Sequence, residues 1–86
     1  MKRFQVTPQF ARDFRTIEPS LSPDDQAMLD ALLAEAVQHP TTPRRIQSFY
    51  DPLRSSWLLR SGPFLVHYAL DDAAGEVVLL NLFRRR

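Results

Sequence analysis

An 86-residue chain of 10.0 kDa has apolar surface for one small core, and 44% hydrophobic with 24% charged residues is the composition of an ordinary globular domain. The absence of cysteine excludes disulfides, thiol chemistry and thiolate zinc sites, so hydrophobic packing must hold the fold. The net charge of +1 hides a split, because Asp24, Asp25, Asp30 and Glu35 face no base between Pro19 and Pro43, while the remainder carries +5, nearly all of it arginine. One domain over residues 1–86 is expected. No apolar run approaches the roughly 20 residues that cross a bilayer. The start Met1-Lys2-Arg3-Phe4-Gln5-Val6 lacks the apolar stretch of a leader, so a cytoplasmic protein with no membrane association is expected.

Arg3 to Val6 alternates well enough for a short strand. Thr7-Pro8 then supplies a capping hydroxyl and a proline at the first helical position. Phe10, Phe14 and Ile17 recur at spacings of four and three, which predicts one apolar helix face, and Pro19 ends that helix. Ser22-Pro23-Asp24-Asp25 starts a second helix with a cap, a proline and two carboxylates at the positive end of the helix dipole. Leu29, Leu32, Leu33, Ala36 and Val37 form its buried stripe with Met28 at the edge, and His39-Pro40 closes it near Gln38. The two helices are expected as an antiparallel hairpin.

Beyond Pro43 the pattern becomes β-rich: Ile46 to Tyr50, Trp57 to Arg60, Phe64 to Leu70 and Val77 to Phe83. Asp51-Pro52, Ser61-Gly62-Pro63 and the loop Asp71 to Gly75 separate these runs. The expected fold is α+β, in the order β-α-α-β-β-β, with the helices on one face of a mostly antiparallel sheet and the other face partly open.

Only Gly62 and Gly75 are present, which excludes glycine-rich phosphate loops. His39 and His67 alone do not make a zinc site, no serine triad is legible, and no metal or cofactor is expected. What remains is cationic. Arginines cluster at Arg44-Arg45, Arg54, Arg60 and Arg84-Arg85-Arg86, where guanidinium forks suit phosphates or carboxylates, or serve simply as a solvated surface. Strand parity puts Phe64, Val66, Tyr68 and Leu70 towards the helices and His67 on the open face. There His67 is either a base ringed by arginines, as metal-free RNA cleavage would need, or a half-buried imidazole bonded to a strand neighbour. Trp57 and Phe83 are either exposed docking groups or core aromatics.

The run Trp57-Leu58-Leu59-Arg60-Ser61-Gly62-Pro63-Phe64-Leu65-Val66-His67-Tyr68, the later Glu76-Val77-Val78-Leu79-Leu80-Asn81-Leu82-Phe83-Arg84, and the order of elements resemble the RelE/ParE toxin superfamily of bacterial toxin-antitoxin systems. The resemblance spans nearly the whole chain. It implies a toxin neutralised by a cognate antitoxin, as a hetero-oligomer or a homodimer. One branch cuts mRNA on the ribosome, and the other inhibits DNA gyrase. On the family pattern Arg60 falls on a basic residue of the third strand, Tyr68 on the tyrosine closing the next motif, and Arg84 or Arg85 on the basic residue ending the last strand. Leu65 departs from it, standing where the nuclease branch carries a phosphate-binding arginine, and Arg86 precedes the tail that often supplies a catalytic tyrosine or histidine. The first expectation is a ribosome-dependent mRNA endoribonuclease with Arg60, His67, Arg84 and Arg85 at the scissile phosphate, and Arg44, Arg45, Arg54 and Arg86 on the RNA. The alternatives are a gyrase-directed toxin without nuclease activity, for which Leu65 is no anomaly, and an inactive antitoxin-binding module.

Overall fold

In the computed structural model the described residues are 3–49, 55–71 and 73–85. They form β1 (Arg3–Val6), α1 (Pro8–Ile17), a 3-10 turn (Glu18–Ser20), α2 (Pro23–Gln38), β2 (Ile46–Ser48), β3 (Ser56–Ser61), β4 (Phe64–Asp71) and β5 (Glu76–Arg84). Both helices start where the capping residues require. The Thr7 hydroxyl accepts from the Phe10 amide at 3.2 Å and the Ser22 hydroxyl from the Asp25 amide at 3.1 Å, and a proline opens each first turn.

The five strands make one mixed sheet in the order β1-β5-β4-β3-β2, with β1 parallel to β5 and the other pairs antiparallel. The run expected from Ile46 forms β2, which ends at Ser48 and adds a fourth strand after the helices to the three that the expected order counted. The expected strand end at Tyr50 and the Asp51-Pro52 break lie outside the described residues. The helices also pack on the sheet more than on each other: α1 lies over β5, and α2 over β3 and β4. Phe10 of α1 and Leu29, Leu32 and Ala36 of α2 meet Leu59, Phe64, Val66, Tyr68, Val77, Leu79 and Leu82 in one core. Each such large side chain, once out of water, contributes about 1.5–3 kcal/mol before chain entropy is subtracted.

The pairing of β4 with β5 slips by one residue. His67 stands opposite Asn81 but Tyr68 opposite Leu79, which leaves Leu80 without a partner in the ladder. The slip is a β-bulge. α1 and its cap satisfy the groups it disturbs, since the single Thr7 hydroxyl proton lies between the carbonyls of Leu79 and Leu80, each 3.0 Å from the oxygen, and the Asp13 carboxylate accepts from the Leu82 amide at 3.0 Å. The bulge also resets side-chain alternation. Val77 and Leu79 face the helices before it, Leu82 and Arg84 after it, and Asn81 and Phe83 turn to the open face.

Tyr68 closes the core beneath the α2–β2 connection, its hydroxyl donating to the Pro40 carbonyl at 2.7 Å. Burial pushes its pKa above the ordinary phenol value, with Arg45 pulling it down and Glu35 pushing it up. The folded state therefore favours the neutral phenol. Its contribution is complete below about pH 10 and is lost as pH rises from there through the raised folded value. Tyr68→Phe should lower unfolding stability by about 1 kcal/mol at pH 7 for the lost hydrogen bond. Urea denaturation at pH 11 should show that gap narrowed, because only the parent chain has the Tyr68 phenol to ionise on unfolding, Tyr50 being common to both.

Candidate functional site

Alternation along β3, β4 and β5 decides which side chains share the open face. In register, Phe83, Leu65 and Arg60 form one cross-strand row, and Asn81, His67, Leu58 and Ile46 the next. His67 is on this face as its parity requires, but it is 5% exposed. Its Nδ1 lies 2.9 Å from Asn81 Oδ1 and its Nε2 lies 2.7 Å from Ser56 Oγ. A carbonyl oxygen only accepts, so in the neutral ring Nδ1 donates to Asn81 and Nε2 accepts from the Ser56 hydroxyl. This Ser-His-Asn chain has the connectivity of a nucleophilic triad, which the sequence did not reveal. At 1% exposure Ser56 is closed to any acyl group, and the chain acts as a polar staple across β3, β4 and β5.

The expected cradle of Arg60, His67, Arg84 and Arg85 is therefore not assembled about an exposed imidazole. Arg60 projects from the open face, exposed, with its Nε donating to the Gly62 carbonyl at 3.4 Å. Arg84 projects from the opposite face, because the bulge puts it in phase with Leu82. There its guanidinium pairs with Asp25 at 3.2 Å, donates to the Ser20 hydroxyl, and lies 5.8 Å from the centre of the Phe64 ring. Arg84 thus ties the end of β5 to the acidic first turn of α2. The Arg85 amide continues the ladder to the Pro63 carbonyl at 2.6 Å, and its side chain is exposed at the same sheet end as Arg60.

Of the four arginines expected on RNA, Arg54 and Arg86 lie outside the described residues. Arg44 pairs with Glu35 and donates to the Arg60 carbonyl at 2.7 Å. Arg45 stacks on Trp57, its guanidinium carbon 3.5 Å from the ring centre, so Trp57 is a partly buried helix-face aromatic and not an exposed docking group. Phe83 is the exposed one, at 48%. Among the described residues no group of three or more histidine and carboxylate side chains is placed to hold a metal ion. No helix there is long and apolar enough to cross a membrane.

A second surface lies on the helix side. The separation of α1 from α2 leaves an open groove of about 510 Å³, walled by Phe10, Phe14, Leu33 and Val37 and continued by Phe4 and Val6 of the edge strand β1. Phe4 and Val6 are half exposed, and among the described residues no strand pairs with β1 on the side away from β5. The sequence carried the signal for this groove in the Phe10-Phe14 spacing. It carried one for the staple too, since Asn81 is the lone polar residue between Val77 and Phe83.

A search of solved structures finds a chain of the toxin-antitoxin complex RelBE2 from Mycobacterium tuberculosis, which superposes with a TM-score of 0.70 at 20% identity over 98% of both chains. No family model matches this sequence, and no curated protein does. The likeness establishes a RelE-like α+β fold, two helices on a five-stranded mixed sheet.

Proposed function

From that fold we propose that the chain is the toxin of a toxin-antitoxin pair, silenced by an antitoxin and acting by binding a protein target in place of cutting RNA. The observation that carries the second half is the placement of His67 and Arg84. Metal-independent cleavage of a phosphodiester needs a base within reach of the 2′-hydroxyl and cations on the phosphate, on one surface. Here the imidazole is enclosed with both ring nitrogens engaged, and Arg84 is committed to Asp25 on the far side of the sheet. Leu65, facing the same side as Arg60, supplies no charge. DNA gyrase is the protein target that the sequence resemblance offers.

The antitoxin's place is the apolar groove between the helices. An amphipathic helix can lay its apolar face against the groove's apolar lining, and an extended segment can add to the outer edge of β1, which no described strand covers. One observation favours the other reading, mRNA cleavage on the ribosome: Arg60 and Arg85 stand exposed at one sheet end, where they can bind phosphates. Inducing the chain in growing cells while mapping transcript ends and DNA supercoiling separates the two. Growth arrest with intact transcripts and altered supercoiling is the expected result. New transcript ends abolished by Arg60→Ala would establish the nuclease instead, and no arrest at all would overturn the toxin reading.

A further inference from the structure

The open face of the sheet has a composition that neither the staple nor the groove uses. Ile46, Leu58, Leu65 and Phe83 run diagonally across β2, β3, β4 and β5 on that face, with Ile46 61% and Phe83 48% exposed. Arg60 interrupts the stripe beside Leu65, and Arg85, exposed, follows β5 at the same end of the sheet. Among the described residues neither makes an ion pair with a carboxylate. The acids on this face, Asp71 and Glu76, lie at the other end of β4 and β5, roughly 20 Å from Leu65 at about 3.3 Å per residue. Glu76 is moreover buried and held by Arg3 and Gln5.

The result is an apolar stripe with exposed guanidinium groups beside it, at an end of the face that carries no acid among the described residues. A nucleic-acid surface would set cations at phosphate spacing with several flat rings to stack bases. Among the described strand residues of this face there is a single exposed ring, Phe83, among aliphatic side chains. Aromatic and arginine side chains around an aliphatic centre are the groups that anchor protein interfaces, and the unmatched positive charge selects an acidic partner. We propose that this face docks a polypeptide segment with one or two large apolar residues flanked by aspartate or glutamate, belonging to the protein on which the chain acts. The segment lies on the side of the sheet away from the groove, so both surfaces can be occupied at once. The proposal rests on the reading of the chain as a protein-binding toxin.

The test uses the full chain and three fluorescent probes: a 15-residue peptide with two leucines and a phenylalanine among glutamates, the same peptide with glutamine for glutamate, and a single-stranded RNA of 15 nucleotides. The acidic peptide should bind most tightly and weaken several-fold between 50 and 300 mM salt, shifting amide resonances of Leu58, Leu65 and Phe83. Phe83→Ser and Arg60→Glu, both at exposed positions, should each weaken it at least tenfold without lowering the unfolding temperature. Tighter binding of the RNA or the glutamine peptide, or shifts confined to the groove, would overturn the proposal. In cells, loss of growth arrest in both variants supports it, and persisting arrest in either overturns it. A parent chain that causes no arrest sinks the toxin reading alone, because the peptide measurements still decide the surface.

Discussion

His67→Ala is expected to lower unfolding stability by about 3 kcal/mol and, at temperatures where the variant stays folded, to leave growth arrest intact. The substitution removes a buried ring from between two polar groups. Ser56 loses its acceptor at 1% exposure, and Asn81 loses the donor that fixes its amide. A buried polar group stripped of its partner costs about 1–3 kcal/mol, and the space left by the ring adds to that. The total is a large share of the roughly 4–13 kcal/mol that a domain of this size holds in reserve. His67→Gln, whose amide can still reach one of the two partners, should recover part of the loss. Urea denaturation measures the stability and induction at reduced temperature measures the arrest. A His67→Ala chain as stable as the parent but without arrest would make the imidazole a participant in chemistry after all.

Gly62→Val is expected to cost about 2–3 kcal/mol, through the tight turn that sets the β3–β4 register. Gly62 and Pro63 join Ser61 to Phe64, and Gly62 has a φ of +57°. A positive first dihedral followed by proline's negative one is the pattern of a type II′ hairpin turn, which matches strand twist and strongly prefers glycine at its first central position. A β-branched residue there is strained. An added Cβ would also collide with the Met28 thioether, which α2 lays over the turn. That side chain is flexible and partly exposed, so it can move, and backbone strain carries most of the cost. Gly75→Ala supplies the comparison: its φ is +66°, nothing lies within 4 Å of the new Cβ, and about 1 kcal/mol is expected from the backbone alone. Chemical denaturation of the two variants, with Gly62→Ala between them, separates strain from contact.

Much of the fold was legible because its signals are local. Ser22-Pro23-Asp24-Asp25 announces the start of α2, and Leu29, Leu32 and Ala36 fill the core as their spacing requires. The parity of β4 put Phe64, Val66 and Tyr68 towards the helices and His67 on the other side, as found. What could not be read was distance between elements. The parallel pairing of β1 with β5 joins the two ends of the chain, and no short-range pattern specifies it. The spreading of α1 from α2, which opens the groove, depends on how each helix seats on the sheet. The burial of His67 was hidden for a similar reason: Ser56 and Asn81 lie 11 and 14 residues away in sequence, and only the assembled strands make them neighbours.

Arg84 shows how far one extra residue can reach. Val77-Val78-Leu79-Leu80 is apolar at every position, so its lettering is indifferent to which side each residue takes, and Leu80 can be skipped without leaving a trace in hydrophobicity. Every residue downstream then runs one step out of time with those before it. Uninterrupted two-step counting from Leu79 would assign Arg84 to the same side as Arg60, whereas the skipped beat sends it to Asp25. An ungapped comparison of this strand with a relative that has no bulge there inherits the same error for Asn81, Phe83 and Arg84 together. Returning the arginine to the other side would also pull Leu82 out of the core and Asn81 away from the imidazole, so its side is locked by residues that carry no charge.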